Sequence, residues 1–73
     1  MIKVGDEFRH FNGNIYEIIA LVTHTEMLEE MVVYKSDKNI WVRPRSMFLT
    51  DEDVSIKPDS VTGQKYRFEK IGG

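Results

Sequence analysis

Alternating apolar and polar positions mark five short extended segments along this chain. Apolar side chains recur at every second residue, as on a β-strand, and no segment keeps the period of a helix beyond about two turns. The extended segments are predicted at residues 7–11, 15–22, 31–35, 40–43 and 66–71. A chain built almost wholly from short strands is expected to fold as an all-β domain.

Turn-forming residues separate these strands. Asn12-Gly13 lies between the first two strands and predicts a type I′ hairpin turn, because both residues tolerate positive φ. Residues 36–39 are polar and predict a second turn. Pro44 ends the fourth strand because it has no N–H for a ladder hydrogen bond. Residues 46–49 then fit a single helical turn, and residues 50–64 an irregular loop.

Two interpretations are open for residues 23–30, between the second and third strands. Thr23 and Glu26 match the capping-box spacing that begins a helix. The β-branched pair Val32-Val33 follows so closely that only one or two helical turns fit. A hairpin loop fits these residues equally well.

Together these segments predict a small five-stranded SH3-like barrel or roll with one short helical turn, formed by residues 1–73 as a single domain. The rival for a chain that ends Gly72-Gly73 is a β-grasp fold. That fold needs a helix of about three turns, and residues 25–30 are too few to form one. The alternating positions predict a core of Phe8, Tyr16, Ile18, Val33, Val42, Phe48 and Phe68.

Composition narrows the classes of function. The net charge of −2 argues against a generally basic protein that coats nucleic acid or a membrane surface. The chain has no cysteine, which removes disulfides, thiol catalysis and thiolate metal sites. No apolar run approaches the ~20 residues that span a bilayer, and the first residues lack the apolar region of a signal peptide. A cytoplasmic protein without a membrane partner is therefore expected.

Metal binding and catalysis find little support. The imidazoles and carboxylates that could hold an ion are His10, His24, Glu26, Glu29 and Glu30. Their spacing matches no known ligand pattern, so no metal and no cofactor is predicted. His24 with Glu26 or Glu29 could serve as an acid–base pair, but there is no nucleophile elbow and no glycine-rich phosphate loop. The sequence therefore predicts a protein that is not an enzyme.

A stripe of basic and aromatic residues runs from residue 34 to residue 45. It contains Tyr34, Lys35, Lys38, Trp41, Arg43 and Arg45, against one acid, Asp37. Arginine and aromatic side chains on a strand can stack on bases and neutralise phosphates, and small barrels also bind peptides through aromatic grooves. In the structural alternative, Trp41 packs in the core and Arg43 pairs with an acidic neighbour.

Arg43 is the centre of the predicted site. It ends a strand at a proline, and a half-buried guanidinium needs acceptors, of which a carboxylate in fork geometry is the best. We expect Arg43, His10, His24 and Glu26 to form one polar cluster, with Trp41 and Arg45 as further partner-binding candidates. In one version a carboxylate of Glu26 or Glu29 locks the loop onto Arg43. In the other, the cluster recognises an anionic group on a partner.

The same residues carry a resemblance to a small bacterial family of domains of unknown function. The shared pattern appears here as Arg9-His10-Phe11 with Gly13 and Tyr16, His24-Thr25-Glu26 with Glu29, Val32-Val33-Tyr34, Trp41-Val42-Arg43-Pro44 with Met47-Phe48, and Arg67-Phe68-Glu69. The resemblance implies an SH3-type barrel and no established activity. Residues 35–39 look shorter than the family's loop at that place, and residues 55–65 look longer.

These observations predict a non-catalytic binding or adaptor module whose partner is a protein or peptide. The alternative is a nucleic-acid-associated accessory protein that uses the stripe of residues 34–45. A third and weaker candidate is a metal- or ligand-dependent enzyme. A salt-dependent gel shift separates the second from the first, because phosphate contacts weaken steeply with salt.

Overall fold

A computed structural model of the chain describes residues 2–50 and 52–72. Its elements in chain order are β1 (Glu7–His10), β2 (Ile15–Thr23), β3 (Glu30–Lys35), β4 (Ile40–Pro44), α1 (Arg45–Phe48) and β5 (Phe68–Ile71). Helix α1 has four residues. Within the described ranges no helix is long and apolar enough to cross a membrane.

All five strands belong to one antiparallel sheet in the order β4-β3-β2-β1-β5. The predicted all-β class, with five strands and one short helical turn, is confirmed. The sheet does not close into a barrel, because its edge strands β4 and β5 do not pair with each other. Phe48 of α1 stacks on Phe68 of β5 with ring centroids 4.1 Å apart, so side chains pack where a closed barrel would have hydrogen bonds.

The turn at Asn12-Gly13 differs in type from the one predicted. Gly13 has a φ of +97°, whereas Asn12 does not have positive φ. Gly13 donates its N–H to the carbonyl of His10 at 2.8 Å, and His10 donates to the carbonyl of Asn14 at 2.9 Å. The hairpin loop therefore has three residues and ends in one left-handed glycine, which is the next most common hairpin after the two-residue turns.

A bulge in β2 decides which side chains face the core. The register with β3 shifts between Ile18 and Ala20, so Ile18 and Leu21 lie on the same face of the sheet although they are three residues apart. On β3 and β4 the inward positions are Val32 and Tyr34 with their partners Arg43 and Trp41. The apolar residues on both sides of β2 are explained by this switch of face.

The core is correspondingly different from the predicted one. Its buried residues are Ile2, Phe8, Ile18, Val32, Tyr34, Phe48 and Phe68, with Tyr16 packed against them and partly buried. The predictions of Val33 and Val42 as core residues were wrong, because both lie on the outer face, where Val33 pairs with Val42. Val42 leaves 58% of its surface exposed. Apolar residues occupy both alternations of β3 and β4, so period alone could not assign the faces.

The long segment between α1 and β5 contains two buried residues, Val54 and Gln64. Val54 is fully buried, and its N–H donates to the carbonyl of Lys65 at 2.7 Å. Val61 donates its N–H to the carbonyl of Phe11 at 3.0 Å, which ties the segment to the first hairpin. Gln64 is also buried. The segment is therefore anchored at both ends of the irregular stretch 55–63.

Candidate functional site

Arg43 lies across the gap between the two edge strands. It belongs to β4, and its guanidinium carbon lies 5.2 Å from the centroid of the Phe68 ring on β5. Its Nε donates to the hydroxyl of Tyr34 at 3.2 Å. The side chain is half-buried. Among the residues that the structure describes, no carboxylate lies within 4.0 Å of it.

His10 joins Arg43 at the same ring. The imidazole of His10 packs edge-on against Phe68, with ring centroids 4.8 Å apart, and lies at a shallow tilt of 31° to the Phe11 ring, with centroids 4.4 Å apart. Its Nδ1 accepts the N–H of Asn12 at 3.0 Å, so this nitrogen carries no proton in the arrangement shown. Burial lowers the pKa of His10, and the nearby positive charges of Arg67 and Arg43 lower it further. The pKa shift therefore favours the neutral imidazole beside the guanidinium.

Aromatic rings surround this pair. Four aromatic rings contact one another in this region, with centroids of contacting rings 4.1 to 5.9 Å apart: Tyr16, Tyr34, Phe48 and Phe68. Phe68 also lines a cleft of about 180 Å³ together with Leu49, Thr50 and Tyr66. We name the group formed by Arg43, His10, Tyr34 and Phe68 the edge-gap site. It combines a fixed cation with an apolar, aromatic surround.

The structure places His24 and Glu26 at the opposite end of β2 from His10, and no hydrogen bond or ion pair among the described residues joins either of them to Arg43. His10 precedes β2 and His24 follows it, so the nine residues of β2 separate them by about 30 Å at ~3.3 Å per residue. The expected single cluster of Arg43, His10, His24 and Glu26 is therefore divided into two. Only His10 lies beside Arg43, and the expected carboxylate partner is replaced by an aromatic ring and a hydroxyl.

His24 instead shapes the loop between β2 and β3. Its Nδ1 accepts the N–H groups of Glu26 at 3.3 Å and Met27 at 3.1 Å, which is the role that Thr23 was expected to have. Its own N–H donates to the carbonyl of Glu29 at 2.8 Å. Leu28 has a φ of +54° and is highly exposed. Of the two interpretations of this segment, the hairpin loop is correct and no helix forms.

Arg45 belongs to a second location, beyond the end of β4. Its Nη1 lies 3.3 Å from Oε2 of Glu30, which joins the start of α1 to the start of β3. Two clefts flank this ion pair, one of about 340 Å³ beside Leu49 and one of about 140 Å³ beside Met31. Arg43 lines neither cleft, so the structure groups Arg45 with Glu30 and not with Arg43.

Trp41 lies on the inner face of β4 and is 47% exposed. It pairs across the sheet with Tyr34, but its ring stacks on no other described aromatic ring. Its neighbours Ile40 and Val42 point to the outer face and are also exposed. Trp41 is therefore neither buried in the core nor stacked in an aromatic groove formed by the described residues.

The basic stripe of residues 34–45 is broken up by ion pairs. Lys35 lies 3.8 Å from Glu17, and Arg45 is paired with Glu30. The side chains on the strands also alternate between the two faces of the sheet. Of the four basic residues in the stripe, Lys38 and Arg43 have no ion pair within the described part of the chain.

Two buried polar residues were not predicted from the sequence. Gln64 donates from Nε2 to the carbonyls of Arg9 at 2.7 Å and Tyr66 at 2.8 Å, and its Oε1 accepts from Nε of Arg9 at 2.9 Å. Asp6 accepts the N–H of Lys3 at 2.9 Å and lies 3.6 Å from Nζ of Lys70. A glutamine in an irregular loop gives no local signal of burial, whereas Gly5-Asp6 before a strand indicates a turn.

The structure brings no group of potential metal ligands together in the described ranges, 2–50 and 52–72. No three histidine, aspartate or glutamate side chains come together there in a way that could hold an ion. His10 and the carboxylates of the β2–β3 loop lie at opposite ends of β2, as described above. The edge-gap site instead offers cationic and aromatic groups, which suit an anionic or polar organic group.

Sequence comparison places the chain in a family. A family model described as "Protein of unknown function (DUF1653)" matches residues 6–70, a range that includes β1 and nearly all of β5. No curated protein and no solved structure is significantly similar to the chain. Because the match covers far more than half of the sequence, the chain belongs to the DUF1653 family of proteins of unknown function.

Proposed function

We propose that this domain is a non-catalytic binding module that recognises an acidic group on a protein or peptide partner at the edge-gap site. The observation that carries this proposal is the environment of Arg43. Its guanidinium is fixed by the Phe68 ring and the Tyr34 hydroxyl, and no described carboxylate neutralises it. The terminal nitrogens of such a guanidinium are suited to bind a carboxylate through two parallel hydrogen bonds.

The surroundings of Arg43 support the same proposal. The Phe68 ring covers one face of the guanidinium and reduces its contact with water, and a charge-assisted hydrogen bond strengthens when it is partly shielded from solvent. The pKa of His10 is lowered mainly by burial and further by repulsion from Arg67 and Arg43. An anion that arrives offsets this repulsion, so His10 accepts a proton more readily. Binding of an acidic group is therefore expected to couple to protonation of His10.

The nucleic-acid alternative has less support. Binding along a phosphate backbone uses several cations on one surface. Lys35 and Arg45 are already paired with Glu17 and Glu30, which leaves Lys38 and Arg43 as separate charges. A single fixed guanidinium in an aromatic setting fits one carboxylate better than a row of phosphates.

Selection of extended peptides displayed on phage against the full chain tests the proposal. Peptides enriched in Asp or Glu are expected, and Arg43→Met should weaken their binding by about 10- to 100-fold, as for a lost hydrogen bond to a charged group. Arg45→Met is the matched control, because Arg45 is already paired with Glu30. Equal binding by wild type and Arg43→Met contradicts the proposal.

The His10 coupling gives a second readout in the same experiment. Chemical shifts of the His10 ring are followed against pH with and without the selected peptide, and the peptide should raise the pKa of His10. An oligonucleotide gel shift at several salt concentrations is run in parallel. Oligonucleotide binding that weakens steeply with salt and is lost in Arg43→Met would assign the site to nucleic acid instead.

A further inference from the structure

Strand β4 is an edge strand whose outward backbone groups can be assigned. Ser36 donates its N–H to the carbonyl of Asn39 at 2.9 Å, which makes these two residues a hydrogen-bonded pair. Hydrogen-bonded and non-hydrogen-bonded pairs alternate along an antiparallel ladder, so Trp41 and Arg43 bond to β3 through Tyr34 and Val32. The N–H and C=O groups of the intervening residues, Ile40 and Val42, therefore point away from the sheet.

The Ile40–Val42 part of this edge lacks the features that usually protect an edge strand. The inward-pointing charge of Arg43 and the proline Pro44, which are two such features, both lie at one end of β4, and the bulge of the sheet lies in β2. The other edge strand, β5, has Glu69 and Lys70 among its four residues. Unprotected edges with exposed apolar side chains are the ones that pair with another strand. Ile40 and Val42 are 69% and 58% exposed.

We propose that β4 pairs with β4 of a second copy of this chain, antiparallel and with the two-fold axis at Trp41. In this register Ile40 of each copy lies opposite Val42 of the other. The four outward groups of Ile40 and Val42 in one copy then meet the same four groups of the other copy, so that every outward N–H of β4 gains an acceptor. Pro44, which has no N–H, falls outside these pairs.

The side chains fit the same register. On the inner face the two Trp41 rings lie opposite each other, and on the outer face Ile40 meets Val42 of the second copy. The outer row Ala20–Val33–Val42 reaches the edge and continues into Ile40 and Lys35 of the second copy. An axis at Val42 is poorer, because it places the carbonyl of Ile40 opposite Pro44, which has no hydrogen to donate.

Charge does not oppose this register. The antiparallel order places the 36–39 turn of each copy beside the Arg43–Arg45 end of the other copy. Asp37 and Lys38 lie in that turn, are exposed, and carry opposite charges, so the turn has no net charge. Arg43 lies opposite Asn39 of the second copy, so pairing does not use its guanidinium. The pairing uses backbone groups of β4 and is therefore tested on the chain without an acidic ligand.

Sedimentation equilibrium of the full chain without ligand tests the pairing. The expected mass is twice 8.6 kDa at micromolar concentrations, with dissociation on dilution. Trp41 is the only tryptophan, so its fluorescence should shift to longer wavelength as the dimer dissociates. A monomer at all concentrations overturns the proposal and leaves β4 free for a different chain. A dimer that dissociates without a change in Trp41 emission overturns the register.

Variants of the edge make the test specific. Val42→Pro removes an N–H that points outward, so it should convert the dimer to a monomer without breaking a bond to β3. The double substitution Ile40→Lys with Val42→Lys changes two exposed side chains and should do the same. Ile56→Lys is the matched control, because Ile56 is 88% exposed and lies outside the sheet. A folded dimer that survives both edge variants contradicts the proposal.

The register itself is tested by cross-linking, since the chain has no cysteine. Under mild oxidation Trp41→Cys should form a disulfide-linked dimer, because identical residues on the axis bring their Cα atoms within bonding range. Val42→Cys should remain largely unlinked. Linking of Val42→Cys instead, or of neither variant, shows that the strands do not pair around Trp41.

Discussion

The guanidinium of Arg43 lies 5.2 Å from the centre of the Phe68 ring, and these two residues belong to the opposite edge strands of one sheet. The strands β4 and β5 share no ladder hydrogen bonds, so contacts between side chains join these two edges of the sheet. The hydroxyl of Tyr34 accepts a hydrogen bond from Nε of Arg43, and Phe48 stacks on the Phe68 ring with centroids 4.1 Å apart. The same contact thus packs the two edge strands together and forms part of the proposed binding site.

Replacing Arg43 should measure how much the contact between Arg43 and Phe68 stabilises the fold. Arg43→Lys keeps the charge but loses the planar group over Phe68 and the Nε bond to Tyr34. A cation–π contact and one hydrogen bond together contribute about 1–2 kcal/mol. The melting temperature should therefore fall by roughly 4–15 °C in a domain of this size. A Tyr34→Phe variant, which loses only the hydrogen bond, should fall less, and no change in either would contradict the contact.

Gln64 should be among the most sensitive polar residues in the chain. It is 6% exposed, and its amide satisfies the carbonyls of Arg9 and Tyr66. Gln64→Ala leaves both acceptors without this donor, which should cost about 2–4 kcal/mol. Denaturant unfolding provides the measurement, with Asp59→Ala on the exposed part of the same segment as control. Similar midpoints for the two variants would show that water replaces the amide without penalty.

His10 should make stability depend on pH below neutrality. Burial, with Arg67 and Arg43 nearby, lowers the pKa of His10 in the folded chain below its ordinary 6.5, so folding favours the neutral imidazole. The stabilisation is complete above pH 6.5 and is lost as the pH falls from there through the lowered pKa.

Melting curves between pH 7.5 and 5.0 test this dependence. His10→Asn keeps an acceptor for the N–H of Asn12 but has no proton to gain, so its melting temperature should change less over this range than that of the wild type. A ring-proton titration by NMR assigns the change to His10. Parallel curves for wild type and variant would mean that other groups cause the dependence.

Residues 55–63 should exchange their amide protons fastest and residues 15–22 slowest. The first stretch contains exposed residues such as Ile56 and Pro58, whereas β2 is bonded on both sides. Val61 should be an exception within the stretch, because its N–H donates to the carbonyl of Phe11. Hydrogen exchange read by NMR measures each amide. Equal protection in the two stretches would show that the loop is packed along its whole length.

Local patterns in the sequence determined where the strands lie and where they stop. Each predicted strand overlaps an observed one, because alternation, turn residues and the missing N–H of Pro44 act over a few neighbouring residues. The large rings of Phe8, Phe48 and Phe68 were also predicted as core residues and are buried. Burying such large apolar surfaces in a short chain leaves few alternatives.

The tertiary structure decided which face each strand presents and what each polar residue meets. The bulge after Ile18 and the pairing of Tyr34 with Trp41 turn Val33 and Val42 outward, and both depend on strands that are distant in sequence. The neighbour of Arg43 also depends on the tertiary structure: it is the Phe68 ring on β5 and not Glu26, which is closer in sequence. In β3 and β4 both sets of alternate positions contain apolar residues, so the local pattern is compatible with either set facing the core. Only the packing of the whole sheet decides which set is buried.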